Sequence, residues 1–201
     1  MDTLQMVLGL IIWFIGELYV LAILLRFILQ LIKADFYNPI SQAVVKVTNP
    51  PLVPLRRFIP SMGGADTASL VLALLVQIVL VYLISLIGGI SPVSLNVGMV
   101  IVAAIAGLFS ILLNFYVFAG IIIVIASFIA PGSYSPALMM LNQLFEPMCR
   151  RIRQVIPPLG GLDFSIMVVF LGIYILKLIT VGTLRNIAMA DYGLRFFLGY
   201  V

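Results

Sequence analysis

The thirty residues from Tyr37 to Asp66, YNPISQAVVKVTNPPLVPLRRFIPSMGGAD, are met again from Tyr134 to Asp163 as YSPALMMLNQLFEPMCRRIRQVIPPLGGLD. Tyr37, Pro39, Pro50, Arg56, Ile59, Pro60, Gly63, Gly64 and Asp66 each find an identical residue 97 positions later, without a gap. These identities fall on residues that set backbone shape and charge, not on interchangeable aliphatics. The chain is therefore a tandem duplication, with the loop as its repeated unit.

What flanks the loops decides the class. Hydrophobic residues make up 64% of the 201 residues and charged ones 9%, and none of Asp, Glu, Lys or Arg occurs from Thr67 to Phe145. No water-soluble domain of this size has such a surface. Four apolar runs, at 4–32, 67–90, 97–129 and 164–184, are long enough for a hydrocarbon core of roughly 30 Å, which takes about 20 helical residues. Shifting the first by one repeat lands it on the third, and the second on the fourth. The expected fold is an all-α membrane protein with four transmembrane helices, arranged as two hairpins. Residues 1–96 form the first repeat with its loop at 33–66, and residues 97–201 the second with its loop at 130–163 and a short tail. An even number of crossings per repeat makes the repeats parallel, unlike the inverted repeats of many transporters.

The amino terminus lacks the basic segment of a secretory signal, and the first apolar run is longer than a signal core, so it is expected to stay as a membrane anchor. The loops hold Lys33, Lys46, Arg56, Arg57, Arg150, Arg151 and Arg153, against Arg185 and Arg195 on the other side. The positive-inside rule then puts both loops in the cytoplasm.

Within each loop a polar residue precedes a proline, Asn38 with Pro39 and Ser135 with Pro136, as an N-cap precedes the first residue of a helix. Ile40, Val44 and Val47, like Leu138, Leu141 and Phe145, would stripe one side of an interfacial amphipathic helix of about three turns. After Pro50 or Pro147 a second short piece is expected to carry the bases. Arg56, Arg57, Arg150, Arg151 and Arg153 form either a basic rim at the bilayer edge or a site for a partner's acidic group or a lipid phosphate. Arg56 and Arg153 are the only bases in register. Each loop closes on Gly63, Gly64, Asp66 or on Gly160, Gly161, Asp163. The glycines permit a sharp turn, and each Asp stands where it would cap the next spanning helix.

Inside the spans, Glu17 and Lys177 lie at similar depth. A lone charge there costs at least about 2.5 kcal/mol. A direct or water-bridged pair would reduce that cost; otherwise Glu17 is protonated and Lys177 snorkels. Arg26 lies close enough to the loop side to reach the interface or an acid such as Asp66, and Asn114 is expected to bond across a helix contact. The chain has no histidine and a single cysteine, Cys149. That removes the usual haem ligands, thiolate metal clusters and the commonest general base, so neither catalysis, cofactor nor metal is expected. Nothing points to nucleic acid.

The stretches Arg26-Phe27-Ile28-Leu29-Gln30, Ala34-Asp35-Phe36-Tyr37-Asn38-Pro39 and Pro54-Leu55-Arg56-Arg57-Phe58-Ile59-Pro60 resemble the first unit of the YggT family of small bacterial membrane proteins. Glu146, Pro147, Arg153, Pro157 and Gly160-Gly161-Leu162-Asp163-Phe164-Ser165 are similar to its second unit. The resemblance implies the two-repeat proteobacterial form, an inner-membrane location and a link to osmotic-stress tolerance and cation uptake. Plastid relatives imply a link to maturation of a haem-bearing cytochrome. Two functions follow as expectations. One is a non-catalytic scaffold or assembly factor that meets anionic lipids, a membrane protein partner or further copies of itself. The other is a small oligomeric transporter or channel component.

Overall fold

The computed structural model describes residues 3–35, 37–61, 64–129, 135–155 and 165–188. Among these described residues six α-helices follow one another: α1 (Thr3–Leu31), α2 (Pro39–Leu55), α3 (Thr67–Ile87), α4 (Val97–Ile129), α5 (Pro136–Arg153) and α6 (Ser165–Ala188), with a 3-10 turn at Pro92–Ser94 before α4. Of these, α1, α3, α4 and α6 are long and apolar enough to cross a membrane. The shortest, α3, has 21 residues, about 31 Å at 1.5 Å per residue, which matches a hydrocarbon core.

The four spans carry apolar residues all round, which suits a helix with lipid on one side and protein on the other. α1 packs on α3, α4 packs on α6, and α3 meets α4 where the two halves join. Leu4, Phe14, Leu171 and Leu178 stay exposed on the outer helices, facing what would be acyl chains. The fold is thus all-helical, built from two repeated hairpins, each with a shorter helix between its spans.

The loop helices α2 and α5 sit at one end of the bundle and touch. The Asn38 side-chain amide donates to the Pro136 carbonyl at 2.7 Å, and the Asp35 backbone N–H donates to Gln143 Oε1 at 3.1 Å. At the other end Leu95, Val100 and Ala188 pack with Val81 and Ile84. This is the parallel arrangement that the even crossing count demands.

The loop helices start as their sequences require. Asn38 Oδ1 accepts the Ile40 amide at 2.9 Å, Ser135 Oγ accepts the Leu138 amide at 3.2 Å, and proline follows each cap. They do not break where expected. α2 runs 17 residues through Pro50, Pro51 and Pro54, and α5 runs 18 through Pro147. Pro50, Pro54 and Pro147 lie on exposed positions, so the carbonyls left without an amide partner one turn earlier are on the outward side, where water or headgroups satisfy them. The buried stripe of α2 is Ser41, Val44, Thr48 and Leu52, with Ile40 only half-buried and Val47 exposed. Two of its four members are polar, which an apolar count overlooks.

Candidate functional site

Arg26 is the hub of the first loop. It sits near the loop end of α1 and is buried to 7% exposure. Its Nη1 donates to Thr48 Oγ1 at 2.7 Å, to Asn49 Oδ1 at 2.8 Å and to the Val45 carbonyl at 3.3 Å. Thr48 Oγ1 in turn donates to the Val44 carbonyl at 2.7 Å. A charge this deep is tolerable because three acceptors on α2 are aimed at it, and the bond set clamps α2 to α1.

Ten residues separate Arg56, at the C-cap of α2, from Asp66, and the two close the loop electrostatically. Arg56 grips Asp66 with two donors, Nη2 to Oδ2 in an ion pair and Nε to Oδ1 at 3.3 Å. Ser69 Oγ adds a donor at 2.5 Å. Asp66 occupies the N-cap position of α3 but makes no side-chain capping bond, which corrects the capping role: its oxygens are taken by side chains. Burial works against its charge, yet the hydrogen bonds from Arg56 and Ser69 and the charges of Arg56 and Arg26 outweigh burial and hold the carboxyl below the usual carboxylate range. Gly64 turns the chain at φ +82°, a left-handed conformation that glycine adopts without a Cβ clash. Thr67 Oγ1 donates to the Pro60 carbonyl at 2.7 Å across the same turn. Gly63, Gly160, Gly161 and Asp163 lie outside the described residues.

Between α1, α2 and this closure lies a cleft of about 640 Å³, lined by Arg26, Gln30, Lys33, Ser41, Arg56 and Asp66 among others. Of the remaining loop bases, Arg57, Arg150 and Arg151 are exposed. Arg153 Nη1 reaches Glu146 Oε2 along α5 at 3.1 Å, with both groups open to solvent. α5 is held by apolar contacts instead of a buried charge. Phe145 meets Tyr116 of α4 edge to face, ring centroids 5.5 Å apart, with Cys149, Leu144 and Ile123 in the same core.

The intramembrane charges do not meet one another. Glu17 Oε1 accepts from Gln77 Nε2 on α3 at 3.2 Å, and Lys177 Nζ donates to Asn114 Oδ1 on α4 at 2.6 Å. No ion pair joins Glu17 to Lys177. The reason is topological: α1 packs on α3 and α6 on α4, so each group finds its partner within its own hairpin. Gln77 is fully buried against Gly107, where an added Cβ would stand 2.3 Å from its amide nitrogen.

Sequence reading overlooked three of these contacts, and register held a signal for two. Arg56 and Asp66 are the charged columns that recur together, and paired recurrence marks mutual contact as readily as a shared ligand. Glu17 and Asn114 occupy the same column 97 residues apart, which marks one polar position per hairpin. Nothing comparable marked Ser41 or Thr48. Among the described residues no group of His, Cys, Asp and Glu could hold a metal ion.

Residues 4–87 and 102–184 each match the CCB3/YggT family. An uncharacterised protein of Pseudomonas aeruginosa is 44% identical over 184 residues, covering 92% of this chain and 93% of its own. The uncharacterised YggT of Escherichia coli K12 is 38% identical over 178 residues, 89% of each chain. A Vibrio alginolyticus protein is 39% identical over 162 residues, 78% of this chain and 84% of its own. No solved structure matches.

Proposed function

Because the chain belongs to the CCB3/YggT family, one copy of the family's unit in each half, we propose that it is a non-catalytic scaffold or assembly factor for a membrane complex. The setting is the bacterial inner membrane with both loops cytoplasmic, and the physiological role lies in osmotic-stress tolerance. The observation that supports this reading is the fusion of the two loops into one platform through the Asn38–Pro136 and Asp35–Gln143 bonds. The two loops expose Tyr37 at 88% and Phe58 at 82%, and the bases Arg57, Arg150 and Arg151 are exposed as well. Aromatic and arginine side chains on a rigid frame are the groups that anchor protein interfaces.

Purification of the full chain in mild detergent, with co-purifying proteins identified by mass spectrometry, tests the reading. Tyr37→Ala with Phe58→Ala should abolish recovery of a partner that wild type retains, with the fold unchanged. A second reading rests on the Asn114–Lys177 pair, which lies on an open side of α4 and α6, where several copies could enclose it. Native mass showing a homo-oligomer and no partner would favour that transporter or channel role.

A further inference from the structure

We infer that the cleft of the first loop is a phosphate-binding site, formed by Arg26, Ser41 and Lys33, for a phospholipid headgroup or a free phosphate. This goes beyond the scaffold reading and does not depend on it. Three observations carry it.

The first is an orphan. Ser41 is 4% exposed, lines the cleft, and its Oγ has no hydrogen-bond partner. A buried hydroxyl left unmade is costly, and a ligand oxygen in the cleft would satisfy it. Ser41 also lies in the first turn of α2, whose amides and dipole favour an anion.

The second is unused donor capacity. All the hydrogen bonds of Arg26 run through Nη1, leaving Nε and Nη2 of a buried guanidinium to the cleft that Arg26 lines. A planar fork with free donors matches phosphate oxygens.

The third is charge. The lining holds three bases, Arg26, Lys33 and Arg56, and two acids. Arg56 is paired with Asp66, which leaves Arg26 and Lys33 against Asp35, whose Oδ1 accepts the Tyr37 amide. Lys33 is placed there at a conformational cost. It is a non-glycine residue at φ +53° in the turn that ends α1, where the Ala34 amide bonds the Leu29 carbonyl and the Lys33 amide bonds that of Gln30. Glycine is the usual occupant of that position. A volume of about 640 Å³ exceeds a bare phosphate and suits a headgroup. The second copy has Ile123 and Leu138 in the columns of Arg26 and Ser41, so the site belongs to the first loop alone.

The test is isothermal titration of the purified full chain in a neutral maltoside detergent, with short-chain phosphatidylglycerol and with inorganic phosphate as separate probes. Ser41→Ala leaves the Arg26–α2 bonds intact and should weaken binding about ten-fold, the effect of one hydrogen bond to a charged group. Lys33→Gly should weaken binding while raising thermal stability, a combination that a purely structural lysine would not give. Lys46→Ala, an exposed base of α2 outside the cleft, should leave binding unchanged. Binding of the lipid alone assigns the site to a headgroup, and binding of both probes shows that the phosphate group suffices. If neither probe binds wild type, or if Ser41→Ala and Lys33→Gly bind as wild type does, the inference is overturned.

Discussion

The first loop is clamped by a buried charge and the second by an aromatic pair, although the two descend from one unit. The column that holds Arg26 in the first copy holds Ile123 in the second, and the column of Thr48 holds Phe145. At one contact a guanidinium meets a hydroxyl at 2.7 Å; at its counterpart Phe145 lies in an apolar core with Ile123 and Tyr116. Duplication kept the helix placement and let the chemistry diverge. A polar clamp leaves donors to spare and a cleft beside them, whereas an apolar one offers no donor.

Exchanging the two clamps should give the largest effects. Ile123→Arg would bury an unpaired charge in the second copy's core and should destabilise by about 3 to 5 kcal/mol. Arg26→Ile, which loses three hydrogen bonds from a charged donor, should cost about 2 to 3 kcal/mol. Denaturation in detergent reads both, and an unchanged midpoint for Arg26→Ile would mean that α2 needs no clamp.

The polar pairs inside the spans differ in the same sense, one sealed and one open. Gly107→Ala should cost about 1 to 3 kcal/mol, because its methyl must push the buried Gln77 amide away from Glu17. Gly172→Ala on α6, where nothing lies within 4 Å, should be neutral or up to about 1 kcal/mol stabilising. Equal effects would show that the inner pair is not packed against α4.

The two copies of the arginine column sharpen the contrast further. Asp66→Asn should cost about 1 to 2 kcal/mol, reduced from a fully buried pair because Arg56 is 38% exposed. Glu146→Gln should cost less than about 0.5 kcal/mol, since both partners face solvent. The folded pKa of Asp66 lies below its unfolded value of about 3.9. Its contribution is therefore complete above about pH 4 and is lost as pH falls through the folded pKa. Acid titration of stability should show this loss in wild type and not in Asp66→Asn.

The smallest expected number is a coupling near zero. Glu17→Gln and Lys177→Met should add within about 0.5 kcal/mol, because each group bonds within its own hairpin. A coupling above about 1 kcal/mol would join the hairpins in a way their packing does not provide.

Hydropathy, length and a 97-residue offset were sufficient for the four spans, the two hairpins and the shared face of the loops, since membrane crossing depends on runs of residue type and on parity. The caps at Asn38 and Ser135 were equally legible, being local rules. The continuous course of α2 and α5 through their prolines was not, because whether a proline breaks a helix depends on which side its freed carbonyl faces. The choice of partner also escaped. Glu17 and Lys177 share depth, but depth is one coordinate of three, and only the order of helices around the bundle decides that Glu17 bonds Gln77 and Lys177 bonds Asn114. The cleft beside Arg26 is the furthest from sequence, since it arises where α1, α2 and the Arg56–Asp66 closure converge. Such volumes are properties of packing between elements, to which no single stretch of chain contributes enough residues to reveal them.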